Sequence, residues 1–214
     1  SALFVLLGLL AYLRCYSYFT KSPRQQLTAQ AVILGVATIL SAFSKENGVL
    51  LPSLIFAVEI ALLNNSVLAK QYRNIRLGVL GLSVAVFLVY LSPLVRPWFE
   101  INEFREFSSW QRMQGELVIL WKYIYLTLFP KIAYFGPFQD QVGVNYSMGA
   151  VSLSASAWFL AIGISFILRK KNPWLWFSVL WFLIGHIIES GPLLLEPYFE
   201  HRNYIPLLGI AMFI

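Results

Sequence analysis

Charge and cysteine are what this chain has least of. Only 12% of its 214 residues are Asp, Glu, Lys or Arg, whereas a soluble domain carries roughly a quarter. The single cysteine, Cys15, excludes an internal disulfide and a cysteine-based metal set. No phosphate loop, dinucleotide fingerprint, CxxC pair or nucleophile elbow occurs. Internal repeats and low-complexity tracts are also missing. No basic region or cleavage site precedes the first apolar run.

What remains is apolar: 58% of the residues are hydrophobic, and the mean hydropathy is +0.68. The apolar residues come in continuous runs rather than short alternating segments. That pattern predicts an all-α fold, a polytopic transmembrane helical bundle rather than a β-barrel. The net charge of +6 lies mainly in short loops between the runs. It reads as an orientation signal rather than a nucleic-acid surface. No nucleic-acid partner, metal or cofactor is expected; membrane lipids are.

Seven spans are predicted, at residues 2–19, 28–43, 49–63, 77–95, 150–168, 174–190 and from 204 onward. The second and third are short and read as a hairpin reversing at residues 44–48, with Gly48 easing the reversal. Pro52 sits in the first turn of the return helix, where proline is tolerated. Their outer ends are expected to stop in a protein-lined cavity. Residue 1 is not Met, and the last run reaches residue 214 in mid-span. Residues 1–214 are therefore expected to be a single transmembrane domain truncated at both ends, inactive by itself.

Loop charge orients the spans. Lys21, Arg24, Lys70, Arg73, Arg76, Arg169, Lys170 and Lys171 occupy three loops without an acid. These loops are expected to be cytoplasmic. The other side carries Lys45, Arg96, Arg105, Arg112, Lys122, Lys131 and Arg202, against Glu46, Glu100, Glu103, Glu106, Glu116, Asp140, Glu189, Glu196 and Glu200. The apolar run 117–130 is short and holds Lys122, so it is expected to be an interfacial or re-entrant helix on the outer face. Residues 96–149 then form one outer-face loop with amphipathic helical parts. Trp98, Trp110, Trp121, Tyr123 and Tyr125 would mark its headgroup level, with Trp174 and Trp176 at the other face. Arg14 and Glu59 would snorkel from span ends.

Two compact ionisable clusters stand out, Lys45-Glu46-Asn47-Gly48 and Glu200-His201-Arg202-Asn203-Tyr204. Charge beside hydrocarbon costs a few kcal/mol per residue and commonly marks a site. Each cluster has a plain alternative, a solvated turn for the first and an interfacial anchor for the second. Both lie on the outer side by the loop count, and each supplies a cation, an acid and a polar donor. A polyprenyl-phosphate sugar suits that set. A guanidinium matches a phosphate bidentately, and a carboxylate can take a proton from an acceptor hydroxyl. His186 and Glu189, three apart on one helical face, either line the same cavity or bond a neighbouring helix. Asp140 reads as a turn residue.

The run Phe43-Ser44-Lys45-Glu46-Asn47-Gly48-Val49-Leu50-Leu51-Pro52, followed by Glu59, resembles a hairpin motif of a membrane glycosyltransferase family. Trp181-Phe182-Leu183 and Phe199-Glu200-His201-Arg202-Asn203-Tyr204-Ile205-Pro206 resemble that family's later motif. The family is the GT-C transmembrane O-mannosyltransferases with tetratricopeptide repeats, and their bacterial relatives. Asn47 departs from the small hydroxyl residue expected there. The resemblance implies a GT-C-like enzyme of the inner membrane with its active face periplasmic or extracytoplasmic. It would move a sugar from a polyprenyl-phosphate donor to a protein or glycan hydroxyl. Lys45 and Arg202 would hold the lipid phosphate, and Glu46, Glu200 and His201 would surround the sugar or position the cations, with Tyr204 beside them. The catalytic acid would lie upstream of residue 1 and the repeats downstream of residue 214. A surface-polysaccharide polymerase or ligase would use similar groups. A multi-span transporter or lipid-sugar flippase is the alternative of another class, disfavoured by the grouping of charge at one face.

Overall fold

The computed structural model describes residues 1–19, 22–63, 72–90, 107–131, 145–190 and 203–213. They form α1 (Ala2–Tyr18), α2 (Pro23–Ser44), a 3-10 turn (Glu46–Leu50), α3 (Leu51–Ala61), α4 (Arg73–Tyr90), α5 (Ser109–Leu128), α6 (Met148–Leu168), α7 (Pro173–Gly185) and α8 (Tyr204–Ala211). No strand occurs among the described residues, so the all-α class holds. The chain divides into two compact units, Ser1–Phe87 and Leu88–Ile214.

In the first unit α1 packs along α2, and the 3-10 turn folds back on the end of α2. Proline at its first position starts α2. The helix begins at residue 23 rather than 28, because Arg24, Gln25 and Gln26 extend it beyond the apolar run. At 22 residues it is about 33 Å long. The expectation that the second span is short is therefore corrected. The return helix α3 is short, at 11 residues.

Packing in α2 runs opposite to that of a soluble helix. Its buried residues are Gln26, Gln30 and Ser41, while Val32, Val36, Ile39 and Leu40 are exposed. Helix α6 likewise buries only Val151, Trp158 and Ser165 and exposes Leu153, Leu160, Ile167 and Phe159, the last at 77%. Among the described residues, α2 and α6 are each long and apolar enough to cross a membrane, and α1 and α7 are shorter apolar helices.

The second unit is built on Ile119, Leu120 and Tyr123 of α5, Trp158 of α6, Phe182 of α7 and Ile210 of α8. Helix α5 has 20 residues, more than the run 117–130. Its start is fixed by a capping box, in which Ser108 and Gln111 bond each other's backbone N–H. Its buried positions Ser109, Arg112, Glu116, Ile119 and Tyr123 recur at helical spacing, so one face is inside. Glycine lets α7 and α8 meet: a Cβ on Gly209 would stand 2.8 Å from Trp181 Cδ1. Trp181 Nε1 donates to the Ile205 carbonyl at 2.6 Å.

The aromatic belt divides. Trp110, Tyr125 and Trp174 are exposed. Trp121 instead stacks on Trp158 with centroids 4.3 Å apart, Tyr123 is buried beside His186, and Trp176 is buried edge-on to Phe166. Those three are packing groups rather than headgroup anchors, because their indole or phenol planes meet other rings. Trp98 lies outside the described residues.

Candidate functional site

At the hairpin tip, Lys45 ends α2 in extended conformation, with φ −170° and ψ 148°. Gly48 then passes over the Ser41 backbone. A Cβ there would lie 2.2 Å from both the carbonyl carbon and oxygen of Ser41, so glycine is required for closeness. No glycine of the described residues has positive φ, so Gly48 eases the reversal through its missing Cβ rather than through a left-handed backbone. The Ser41 hydroxyl donates to the Gly48 carbonyl at 2.9 Å, clamping the crossing. Asn47 is buried, Glu46 is exposed and Lys45 is half-buried. The tip is thus clamped through its backbone, with Glu46 exposed and Lys45 half-buried.

Of the second cluster, Glu200, His201 and Arg202 lie outside the described residues, as do Asp140 and Glu196. Asn203 is buried and Tyr204, which opens α8, is 73% exposed. Asn203 lies beside the His186 ring. His186 is not on a helical face with Glu189: α7 stops at Gly185, and residues 186–190 form a turn. Both side chains are nonetheless buried. The His186 Nδ1 lies 2.9 Å from the Phe182 carbonyl, while Nε2 has no hydrogen-bond partner.

Arg112 joins this group from α5. It is fully buried, lies 3.2 Å from Glu116 Oε1, and donates to the Glu189 carbonyl. Trp110, Met113, Leu117, Leu120, Glu116 and Ser190 line an adjoining cavity of about 240 Å³. The Ser190 hydroxyl has no hydrogen-bond partner. Tyr146 lies near Glu116, and its hydroxyl pKa is raised by burial and then by that carboxylate. Burial lowers the pKa of Lys122. Arg112 and Glu116 read as loop charge in the sequence; the capping box and the four-residue spacing are the signals that place them on one buried helix face.

A third cluster lies at the other end of the first unit. Glu59 Oε1 accepts from the Tyr12 hydroxyl at 2.8 Å, from the Tyr16 hydroxyl, and from Arg76 Nε at 3.2 Å. Glu59 is 0% exposed, so it does not snorkel as expected: the acid is paired inside the protein. The Arg76 guanidinium also lies 5.3 Å from the Tyr16 ring centroid. The four-residue spacing of Tyr12 and Tyr16 was the available sequence signal.

Among the described residues no group of three or more His, Cys, Asp or Glu side chains is arranged to hold a metal ion. Comparison with known proteins found no matching family model, no matching curated protein and no matching solved structure.

Proposed function

We propose that this chain is the membrane part of a GT-C-like glycosyltransferase, a multi-pass bundle of the inner membrane. Its donor is a polyprenyl-phosphate sugar, and its acceptor a protein or glycan hydroxyl on the extracytoplasmic side. The membrane assignment draws support from the inverted packing of α2, with Gln26, Gln30 and Ser41 inside and Val32, Val36 and Ile39 outside. Transfer rests on the ordered pair of motifs at 43–52 and 199–206.

The single observation that carries the site is the buried group of Arg112, Glu116, His186 and Asn203 beside the start of α8. Desolvating an ion pair is expensive, and ionisable residues kept inside a membrane protein are functional-site candidates by default. Asn203 directly follows Glu200-His201-Arg202, so this group anchors the segment leading out of that triplet. The resemblance assigns phosphate binding to Lys45 and to Arg202, each a cation that could oppose the charge developing on a leaving group. The resemblance likewise assigns sugar-binding roles to Glu46 and, in the later motif, to Glu200, His201 and Tyr204. The cavity beside Glu116 offers apolar walls to the first part of the lipid chain. A transporter gains little from Glu59 and Arg76, which stand near helix ends rather than at a span centre.

The test is sugar transfer from a polyprenyl-phosphate donor in membranes carrying the full-length protein. Lys45→Ala and Arg202→Ala are each expected to lower transfer by about 10²–10³-fold, with insertion unchanged. Full transfer in both variants overturns the assignment.

A further inference from the structure

We propose that the basic turn between α6 and α7 docks one anionic phospholipid of the bilayer, with its acyl chain along α6. The inference rests on the membrane reading above and is independent of sugar transfer. Helix α6 has 21 residues, about 31 Å, enough to cross the hydrocarbon core. Arg169, Lys170 and Lys171 follow its last residue directly, which on that reading puts all three at headgroup depth.

The turn holds together without the lysine side chains. The Lys171 and Asn172 backbone N–H groups both donate to the Leu168 carbonyl at 2.8 Å. The Asn172 side chain accepts from the Leu175 N–H at 3.1 Å and caps α7. Lys170 and Lys171 are exposed, and among the described residues no ion pair or side-chain hydrogen bond engages either. Arg169 is held differently. Its Nη1 donates to the Phe166 carbonyl at 2.7 Å, and its guanidinium carbon lies 3.8 Å from the Phe166 ring centroid. That contact fixes one side of the fork and leaves its other N–H groups for a phosphate.

Charge selects the headgroup. Helices α6 and α7 carry no Asp, Glu, Lys or Arg. The described acids of this unit are Glu116 and Glu189. Glu189 follows the far end of α7, a helix of 13 residues or about 20 Å. Glu116 belongs to that end too, since Arg112 bonds both its carboxylate and the Glu189 carbonyl. No described acid therefore neighbours the three cations, and basic residues just outside a span attract anionic lipid.

The apolar face selects a lipid over a soluble anion. Leu153, Leu160, Ile164 and Ile167 are exposed, the last at 75%. They stand three, four or seven residues apart, on one face of α6. This stripe is about 21 Å long and ends four residues before Lys171. Trp174 is exposed just past the cations, at the start of α7, where an indole suits the headgroup level. A phosphate at the turn and an acyl chain along the stripe follow the same order.

The test is native mass spectrometry of the full chain in neutral detergent, with phosphatidylglycerol, phosphatidylcholine of equal chain length, inorganic phosphate or a poly-glutamate peptide added. Phosphatidylglycerol is expected to be retained in preference to the other three. Lys170→Gln combined with Lys171→Gln is expected to weaken that retention about 25-fold, about fivefold for each charge. Arg14→Gln combined with Arg24→Gln removes the same charge from exposed positions of the first unit and is expected to leave retention unchanged. Equal loss in the two double variants overturns the site, as does equal retention of the two lipids or retention of inorganic phosphate alone. Capture of poly-glutamate in place of phosphatidylglycerol makes the turn a protein-docking surface and overturns the lipid. Retention of neither lipid by a chain that stays in the membrane fraction overturns the site alone. Recovery of the chain without detergent, away from that fraction, overturns the membrane reading with it.

Discussion

Arg76 Nε meets Glu59 Oε1 at 3.2 Å with both side chains buried, and the two residues belong to successive helices. Breaking a buried pair by removing one partner typically destabilises by about 3–5 kcal/mol, whereas replacing both by apolar groups is often neutral. Glu59→Leu and Arg76→Leu are each expected to lower the thermal midpoint in detergent sharply. The double variant is expected to recover most of it. A double variant no better than either single change would show that the pair does not act as a unit.

Two glycines of the first hairpin, one at its tip and one inside α2, have opposite expected effects. Gly48→Ala places a methyl against the Ser41 backbone, which has no flexible side chain to move aside. Loss of several kcal/mol is expected, on the scale of severe overpacking. Gly35 is inside α2 with nothing near its missing Cβ, so Gly35→Ala is expected to stabilise by about 0.4–1 kcal/mol. Chemical or thermal unfolding of the two variants measures the contrast.

Sidedness can be read by cysteine labelling, since the native Cys15 is buried. In the first unit Glu46→Cys is expected to react with an impermeant maleimide from outside, and Arg24→Cys only after permeabilisation. In the second unit Tyr204→Cys and Lys170→Cys should behave as the corresponding pair. All four positions are exposed. Reversal within either pair overturns the charge-derived orientation.

Tyr146 gives an alkaline signature. Burial, then the charge of Glu116, raises its hydroxyl pKa above the ordinary value, which is about 10. The folded protein therefore keeps a proton that the unfolded chain releases. This contribution is fully present below pH about 10 and is lost as pH rises beyond it. Tyr146→Phe is expected to flatten the fall of stability between pH 9 and 11, measured by thermal unfolding (about one unit on either side of the tyrosine value). An unchanged slope would remove Tyr146 from that transition.

Helix identity was legible because the apolar runs are long and continuous. Ends were less so: polar residues such as Arg24 and Gln26 belong to α2, and only Ser108 with Gln111 marks where α5 begins. The hairpin tip was legible as a compact charged motif, but the reason for Gly48 was not, since closeness to Ser41 depends on how the turn folds back. Glu59 was misread because a charge near a span end looks the same whether it reaches water or meets Tyr12, Tyr16 and Arg76. Arg112 was hidden for a similar reason, its partner Glu189 lying 77 residues away.

The pairing of Glu59 also sets an order of manufacture. The carboxylate leaves the ribosome 17 residues ahead of the guanidinium that neutralises it, while both tyrosines have already been made. Helix α3, at 11 residues, is too short to settle alone across hydrocarbon about 30 Å thick. On the membrane reading proposed above, the nascent chain keeps this return helix in a sheltered, wet setting at the insertion machinery until Arg76 emerges. A pause placed just before that codon would lengthen the stay.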